Sequence, residues 1–258
     1  MYLKPINFKK HSSIKIGQTV EVLILELNDK ISKDRYLIGG ANNLLLSNNP
    51  PPLMMLSKDF ASIEQEDNIL TIGSAMPTGR IVSYMRKHDI AGFEFCAKLP
   101  GTLGGMLAMN AGVKSYEVFN ILHSIKINDE WILKEDIPHG YRFASLNGVA
   151  THARFESKKG FSQDLLDELL NLRSNQPHEP SAGSAFKNPE GDYAGRLIEA
   201  VGLKGFRKGD MAWSEVHSNF LVNLGQGRYE DAKFLIDLAK EKVLEKFGIE
   251  MKEEIKIL

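Results

Sequence analysis

Leu99-Pro-Gly-Thr-Leu-Gly-Gly-Met-Leu-Ala-Met-Asn-Ala-Gly112 decides how this chain is read. Gly101, Gly104, Gly105 and Gly112 fall within it, separated by small or apolar residues and a single Asn. Glycine at this density lets the backbone turn sharply and come close to a ligand. The N–H groups so exposed, above all where a helix begins, suit phosphate oxygens. The stretch lacks the Gly-Lys-Ser/Thr ending of a Walker loop and the G-x-G-x-x-G spacing of a Rossmann turn. A tight turn feeding a helix that packs on a sheet is the plain alternative.

Outward from this stretch, 258 residues with 43% apolar and 25% charged side chains describe an ordinary globular protein of one large or two modest domains. A net charge of −1 gives no bulk attraction to nucleic acid or to a membrane surface, and no apolar run reaches the length of a membrane span. Neither partner is expected. Cys96 is the lone cysteine, which excludes an intrachain disulfide, suits a reducing compartment and reads as a buried filler. Together with an N-terminus lacking a signal-peptide core, this points to the cytoplasm. No metal site is expected.

Before the glycine stretch, residues 20–27 and 36–38 predict strands, the second ending in Gly39-Gly-Ala-Asn-Asn-Leu-Leu-Leu46. The connection 28–35 is too short for a crossover between adjacent parallel strands. Either a helix is lost there or the two strands are not parallel neighbours. Asn48-Asn-Pro-Pro-Pro52 is a turn, 53–56 and 69–72 are short strands, and Pro77 opens a helix whose face is Ile81, Val82 and Met85. Met106 and Met109 read as core fillers.

Beyond it, strands are predicted over 123–128, 131–133 and 149–155, with Asn128-Asp-Glu as a hairpin turn. Ser162 caps a helix with Leu165, Leu166, Leu169 and Leu172 on one face, and Arg173-Ser-Asn-Gln-Pro177 marks a domain boundary. Asp192 caps a second helix with Ala194, Leu197, Ile198 and Val201 on one face, stopped by Gly202; 204–210 is a solvated loop. Ala232, Leu235, Ile236, Ala239, Val243 and Phe247 define a long amphipathic helix closed by Gly248.

Pro-Gly-Thr-x-Gly-Gly…Asn-Ala-Gly resembles the flavin-binding segment of the UDP-N-acetylenolpyruvoylglucosamine reductase (MurB) family. Other stretches resemble that family in the same order. Lys10-His-Ser-Ser-Ile-Lys-Ile-Gly17 is similar to its opening segment. The turn at Gly39 resembles its Gly-Gly-Gly-Ser-Asn-Leu-Leu loop, with Ala41 for the third glycine and Asn42 for the serine. Gly140-Tyr-Arg-Phe-Ala-Ser145 resembles Tyr-Arg-x-Ser, and Pro180-Ser-Ala-Gly-Ser-Ala-Phe-Lys-Asn-Pro189 resembles Ala-Gly-Ser-x-Phe-Lys-Asn-Pro. Ser214-Glu-Val-His-Ser-Asn-Phe-Leu-Val-Asn223 resembles Ser-Glu-Lys-His-Ala-Asn-Phe-x-x-Asn. Met251-Lys-Glu-Glu-Ile-Lys-Ile-Leu258 resembles Leu-Glu-Pro-Glu-Val-Arg, with Glu253 in place of the proline. The family's helix within 28–35 is missing, and the pattern is that of its shorter, type II-like form.

The resemblance implies an α+β fold. An FAD-binding domain of the vanillyl-alcohol-oxidase type would cover 1–172, and a smaller α+β substrate-binding domain 173–258, its last residues returning to the first. It implies a monomeric NADPH-dependent flavoprotein that reduces UDP-N-acetylglucosamine enolpyruvate to UDP-N-acetylmuramate in peptidoglycan precursor synthesis. FAD, bound without a covalent bond, would lie on Gly39, Gly40, Ala41, Asn42, Asn43 and Leu44, and on Pro100, Gly101, Thr102, Gly104, Gly105, Asn110 and Gly112. Hydride would pass from flavin N5, a proton from Ser184, and Arg142 and Glu254 would stabilise the developing charge. Lys187, Asn188, His217 and Asn219 would contact substrate. Taken alone, Arg142 is more often a surface arginine than a catalytic one, so its role rests on the resemblance, and His217 and Asn219 read equally as residues satisfied inside a strand and its turn. Two rival functions stay open: an oxidase or dehydrogenase of the same flavin fold acting on a small alcohol or lactone, and a UDP-sugar binding module whose flavin loop has decayed at Ala41 and Asn42.

Overall fold

A computed structural model describes residues 1–31, 34–172 and 175–258 of the chain. Packing divides the chain into two units. One comprises Met1–Lys4, Val22–Gly40 and Pro52–Ser174, the other Pro5–Glu21, Ala41–Pro51 and Asn175–Leu258. The division is therefore not a single cut between 172 and 173. Ile14, Ile16 and Leu45 share a buried cluster with Trp213, Leu235 and Ile236, which draws two early segments into the second unit. Arg173 and Ser174, at the expected boundary, lie outside the described residues.

The first unit is built on a five-stranded antiparallel sheet. Its spatial order is Glu130–Leu133, Leu122–Ile127, Ala150–Glu156, Ile69–Gly73, Ile63–Glu66. Alternation in these strands turns Leu70, Ile72, Ile125, Ala153 and Phe155 to one face. There they join apolar residues of the helices Thr78–Lys87, Leu103–Ala108 and Gln163–Asn171. The expected turn at Asn128 and Asp129 has φ of 48° and 71°, the left-handed pair that a two-residue hairpin requires. Ser162 caps its helix by accepting the Leu165 N–H at 3.1 Å; Leu166 and Leu169 are buried, whereas Leu172, at the frayed end, is exposed. Cys96 is buried, and burial followed by the charge of Glu94 pushes its thiol well above the ordinary value, as befits a filler.

A smaller sheet settles the short connection 28–35. Its order is Tyr2–Asn7, Thr19–Leu25, Leu53–Leu56, Tyr36–Leu37. Leu53–Leu56 lies between the two predicted strands and pairs in parallel with each, through Val22↔Leu53 and Tyr36↔Leu53. The strands are not neighbours, and none of the described residues of 28–35 is helical.

The second unit carries a four-stranded antiparallel sheet in the order Ser181–Ser184, Phe220–Asn223, Met211–Trp213, Arg207–Lys208. The stretch 204–210 thus contributes an edge strand rather than only a loop. Two helices, Ala194–Ala200 and Tyr229–Phe247, share its buried cluster, and the second ends on Gly248 at φ 67°. Asp192 does not cap the first of them. Tyr193 holds the N-cap position without a side-chain bond, while the Ala194 N–H donates to Asn188 Oδ1 at 3.0 Å. Asp192 instead binds Arg196, which holds its carboxyl well below the usual range, at about 2. Residues 10–17 form no strand: Phe8–His11 is one helical turn, and the chain beyond it is irregular. A parallel pair of short strands, Leu44–Leu45 with Lys256–Ile257, closes the unit. The chain end pairs with residues 44–45, which belong to the same unit as it does. Helices and strands mix throughout, as the α+β expectation has it. Among the described residues no helix is long and apolar enough to cross a membrane.

Candidate functional site

In the first unit, the two glycine stretches meet. A Cβ on Gly39 would stand 2.9 Å from Thr102 Oγ1, so the end of the strand Tyr36–Leu37 lies against the start of the helix Leu103–Ala108. Thr102 occupies the N-cap position, its hydroxyl facing the Gly105 N–H at 3.4 Å. Gly101 has φ 118°, and its carbonyl accepts the Thr78 N–H at 3.1 Å, leaving Pro100 exposed on the turn. Gly104 donates to the Ser74 carbonyl at 2.8 Å, and a Cβ there would press on Ser74 at 3.1 Å.

Asn110 and Gly112 hold the chain around Arg142. Asn110 is 1% exposed, and its amide is fully engaged. Nδ2 donates to Glu117 Oε2 at 2.7 Å and to the Gly140 carbonyl at 3.1 Å, while Oδ1 accepts the Phe119 N–H at 3.2 Å. The Gly140 bond fixes the hairpin His139–Gly140/Phe143–Ala144, whose turn is Tyr141-Arg142 with Arg142 at φ 54°. The Arg142 guanidinium donates to the Gly112 carbonyl at 3.0 Å and lies 5.3 Å from the Tyr141 ring, between exposed Tyr141 and Phe143. Gly112 admits no side chain: a Cβ would fall 2.0 Å from the Tyr116 carbonyl.

In the second unit, residues 184–187 run alongside 252–255. Lys187 N–H donates to the Lys252 carbonyl at 2.9 Å, Glu254 N–H to the Ala185 carbonyl at 2.8 Å, and Phe186 faces Glu253. Ser184 and Glu254 are thereby held one peptide apart across a two-strand ladder. Ser184 follows Gly183, at φ 79°, where the register against Phe220–Asn223 is broken; such bulges re-aim side chains. Asn43 Nδ2 donates to the Glu254 carbonyl at 2.9 Å, and its own carbonyl accepts the Lys256 N–H at 2.9 Å. Leu44 pairs with Lys256, and Ser13 binds the carbonyls of Ala41 at 3.3 Å and Asn42 at 3.0 Å. Ala41 is buried with φ 53°, so it keeps the left-handed turn in which a glycine would be at ease.

Charges around Ser184 differ in kind. Among the described residues the Lys187 ammonium has no ion-pair partner. Glu253 is the reverse: burial opposes its charge, yet the hydrogen bond from Lys240 at 2.8 Å keeps its carboxyl below the ordinary value. His217 is pushed below its ordinary value by burial, and its Nδ1 accepts the Asn219 N–H at 3.3 Å, so the neutral ring carries its proton on Nε2. Asn219 is 3% exposed, and both its amide atoms bind the Phe186 backbone, Oδ1 at 3.0 Å and Nδ2 at 2.8 Å. Asn188 has its Oδ1 occupied by the Ala194 N–H, leaving Nδ2 to donate elsewhere.

Sequence reasoning missed Ser74 and Ser13. Ser74 is 1% exposed, and its Oγ has no partner among the described residues. The signal was a strand running into Gly73-Ser-Ala-Met-Pro77, small residues just before a helix start. This orphan hydroxyl beside Gly104 suits a flavin dinucleotide with its phosphates, as does Gly105, where a Cβ would meet only Thr102 Oγ1 at 3.8 Å. No group of His, Cys, Asp and Glu suited to a metal occurs among the described residues.

Residues 176–258 match the family described as UDP-N-acetylenolpyruvoylglucosamine reductase, C-terminal domain. A relative of that enzyme name from Helicobacter hepaticus is 48% identical over 257 residues, covering 98% of each chain. One from Campylobacter jejuni is 46% identical over 259 residues, covering 98% of this chain and 99% of its own. The crystal structure of UDP-N-acetylenolpyruvylglucosamine reductase (MurB) from Thermus caldophilus is similar across 100% of this chain and 99% of that one, with TM-score 0.85 and 26% identity. Similarity of this extent takes in both glycine loops and the ladder of Ser184 and Glu254, and the chain belongs to the UDP-N-acetylenolpyruvoylglucosamine reductase family.

Proposed function

We propose that the chain is a cytoplasmic FAD-dependent reductase that converts UDP-N-acetylglucosamine enolpyruvate to UDP-N-acetylmuramate with NADPH, in peptidoglycan precursor synthesis. The observation that carries this reading is the ladder joining Ser184 to Glu254 through the Ala185 carbonyl. It puts a proton-bearing hydroxyl and a carboxyl on one rigid scaffold. FAD, held non-covalently by 39–44 and by 100–105, would take hydride from NADPH and supply it to the enol carbon.

The remaining work falls to the side chains. Reduction of a carbon–carbon double bond takes a hydride on one carbon and a proton on the other. Ser184 gives the proton, and because its hydroxyl is a weak acid the acceptor must be a strongly basic enolate shielded from water. Negative charge meanwhile grows toward the substrate carboxylate. Arg142, tied to the Gly112 carbonyl, and Glu254, tied through its backbone to Ala185 and Asn43, stabilise that charge without reorganising. Glu254 serves as a donor only in its protonated form. Lys187, Asn188 Nδ2 and His217 Nε2 offer donors to the UDP-sugar.

Separating the two half-reactions tests this. Protein loaded with FAD and reduced by NADPH is mixed with the enolpyruvyl sugar in a stopped-flow spectrometer. Ser184→Ala should accept electrons from NADPH at the normal rate and return them about 10²–10⁴-fold more slowly. Ser184→Cys should recover part of the loss. Equal slowing of both steps would make the serine structural, and oxidation of a simple alcohol in place of sugar reduction would replace the reading with a flavin oxidase.

A further inference from the structure

We infer that Asn219 is a positioning residue, which fixes Ser184 and Glu254 relative to one another by clamping the Ala185–Phe186 backbone. The inference rests on the reading above, in which those two side chains act on one substrate.

In the ladder of 184–187 with 252–255, Phe186 and Glu253 face each other while the bonds run through their neighbours. The N–H and C=O of Phe186 therefore point away from 252–255. In a wider sheet another strand would take them. Here the carboxamide of Asn219 does so, accepting the N–H at 3.0 Å and donating to the C=O at 2.8 Å. Its own carbonyl accepts the Ala185 N–H at 2.8 Å, and the Ala185 carbonyl in turn accepts Glu254 N–H at 2.8 Å. Asn219 thus grips the peptides that follow Ser184, and through the one joining Ala185 and Phe186 the Glu254 backbone.

Burial makes the grip matter. Phe186 is fully buried and its ring stacks on that of Trp213, 5.9 Å away, so its peptide groups would be left unsatisfied without Asn219. An amide offers a donor and an acceptor side by side, which is what the C=O and N–H of one strand residue, pointing the same way, require. An ionised carboxylate offers acceptors alone.

That difference gives the test. Asn219→Asp, in its protonated form, reproduces the carboxamide: the O–H donates to the Phe186 C=O and the other oxygen accepts the N–H. Deprotonation sets a carboxylate oxygen against the carbonyl and opens the clamp. The other titratable or charged groups here are His217, whose Nδ1 takes the Asn219 N–H, Glu199, which accepts the Ser218 hydroxyl at 3.3 Å, and, on the two ladder strands, Lys187, Lys252, Glu254 and Glu253, the last bound by Lys240. All are present in the unaltered chain, so each measurement is a ratio of variant to unaltered chain at the same pH.

Amide exchange is followed by mass spectrometry over peptides spanning 181–187 and 252–256, without cofactor or substrate. The ratio should lie near one at acid pH and rise to about tenfold or more as pH increases. In FAD-loaded protein the return of electrons to the enolpyruvyl sugar should slow over the same pH range, with KM for the sugar and reduction by NADPH unchanged. Asn219→Ala should show fast exchange and a slow return step at every pH. A ratio flat with pH for Asn219→Asp overturns the inference, as does a loss confined to KM with exchange unaltered, which would make Asn219 a direct substrate contact. If neither variant folds, exchange in the unaltered chain decides: a Phe186 amide as protected as that of Leu221 supports the clamp, and one exchanging freely refutes it. An unaltered chain that never reduces the sugar sinks the proposed function, while the exchange ratio still judges the clamp by itself.

Discussion

Gly112 and Gly183 each lie beside a residue assigned to the reaction, Arg142 and Ser184, yet they are glycines for different reasons. A Cβ on Gly112 would meet the Tyr116 carbonyl at 2.0 Å and Glu117 Cα at 2.8 Å, both backbone. A Cβ on Gly183 would meet nothing within 4 Å, and what singles it out is φ 79°. The first glycine answers to close packing, the second to handedness. Motif glycines of equal prominence in a sequence thus differ in what their replacement would do.

Gly112→Ala should have the largest effect. Neither backbone neighbour can yield as a flexible side chain would, so the cost is at least about 3 kcal/mol. Urea unfolding monitored on the first unit should show it, together with loss of FAD uptake; a stable Gly112→Ala protein would break the contrast. Gly183→Ala should cost only about 1–2 kcal/mol, the penalty of a left-handed turn on an alanine. It should bind FAD normally and return electrons more slowly, because Ser184 is aimed by that turn. The smallest effect sharpens the same distinction from the opposite side. Ala41 already bears φ 53°, so Ala41→Gly should stabilise the chain by about 0.5–1 kcal/mol, the relief of strain being offset by greater freedom of the unfolded glycine. No gain in midpoint would mean that the turn at Ala41 carries no strain.

Much of the local structure was legible because it obeys short-range rules. Ser162 caps its helix, Pro77 precedes one, and Asn128-Asp129 turns a hairpin, each on evidence within a few residues. Asp192 misled because a salt bridge to Arg196 outcompeted the cap, and Asn188 took the Ala194 N–H from six residues upstream. What failed more deeply was partnership at long range. The apolar residues of 14–16 and 44–46 say that they are buried, not which core buries them. The family resemblance assigns Asn110 and Asn219 to ligands, and a sequence does not display which parts of the chain they hold. Buried at 1% and 3%, Asn110 ties Gly140 and Phe119 together and Asn219 binds the Phe186 backbone, bracing roles set by partners distant in sequence.

The pairing of Leu44–Leu45 with Lys256–Ile257, and the bond from Asn43 to Glu254 across 211 positions, also bear on how the chain is made. On a ribosome, Ile14, Ile16 and Leu45 emerge early, while Lys256 is joined more than two hundred residues later. The interior of the first unit, drawn from 70–169, is complete in the interval and can collapse first. The early segments must wait, their apolar side chains wet, until a contact of very high sequence separation can form. Refolding from denaturant releases that constraint on timing, since all segments are then present at once. The order of events is thus a property of biosynthesis as well as of sequence, and the brace that Asn43 gives Glu254 is among the last parts to be set.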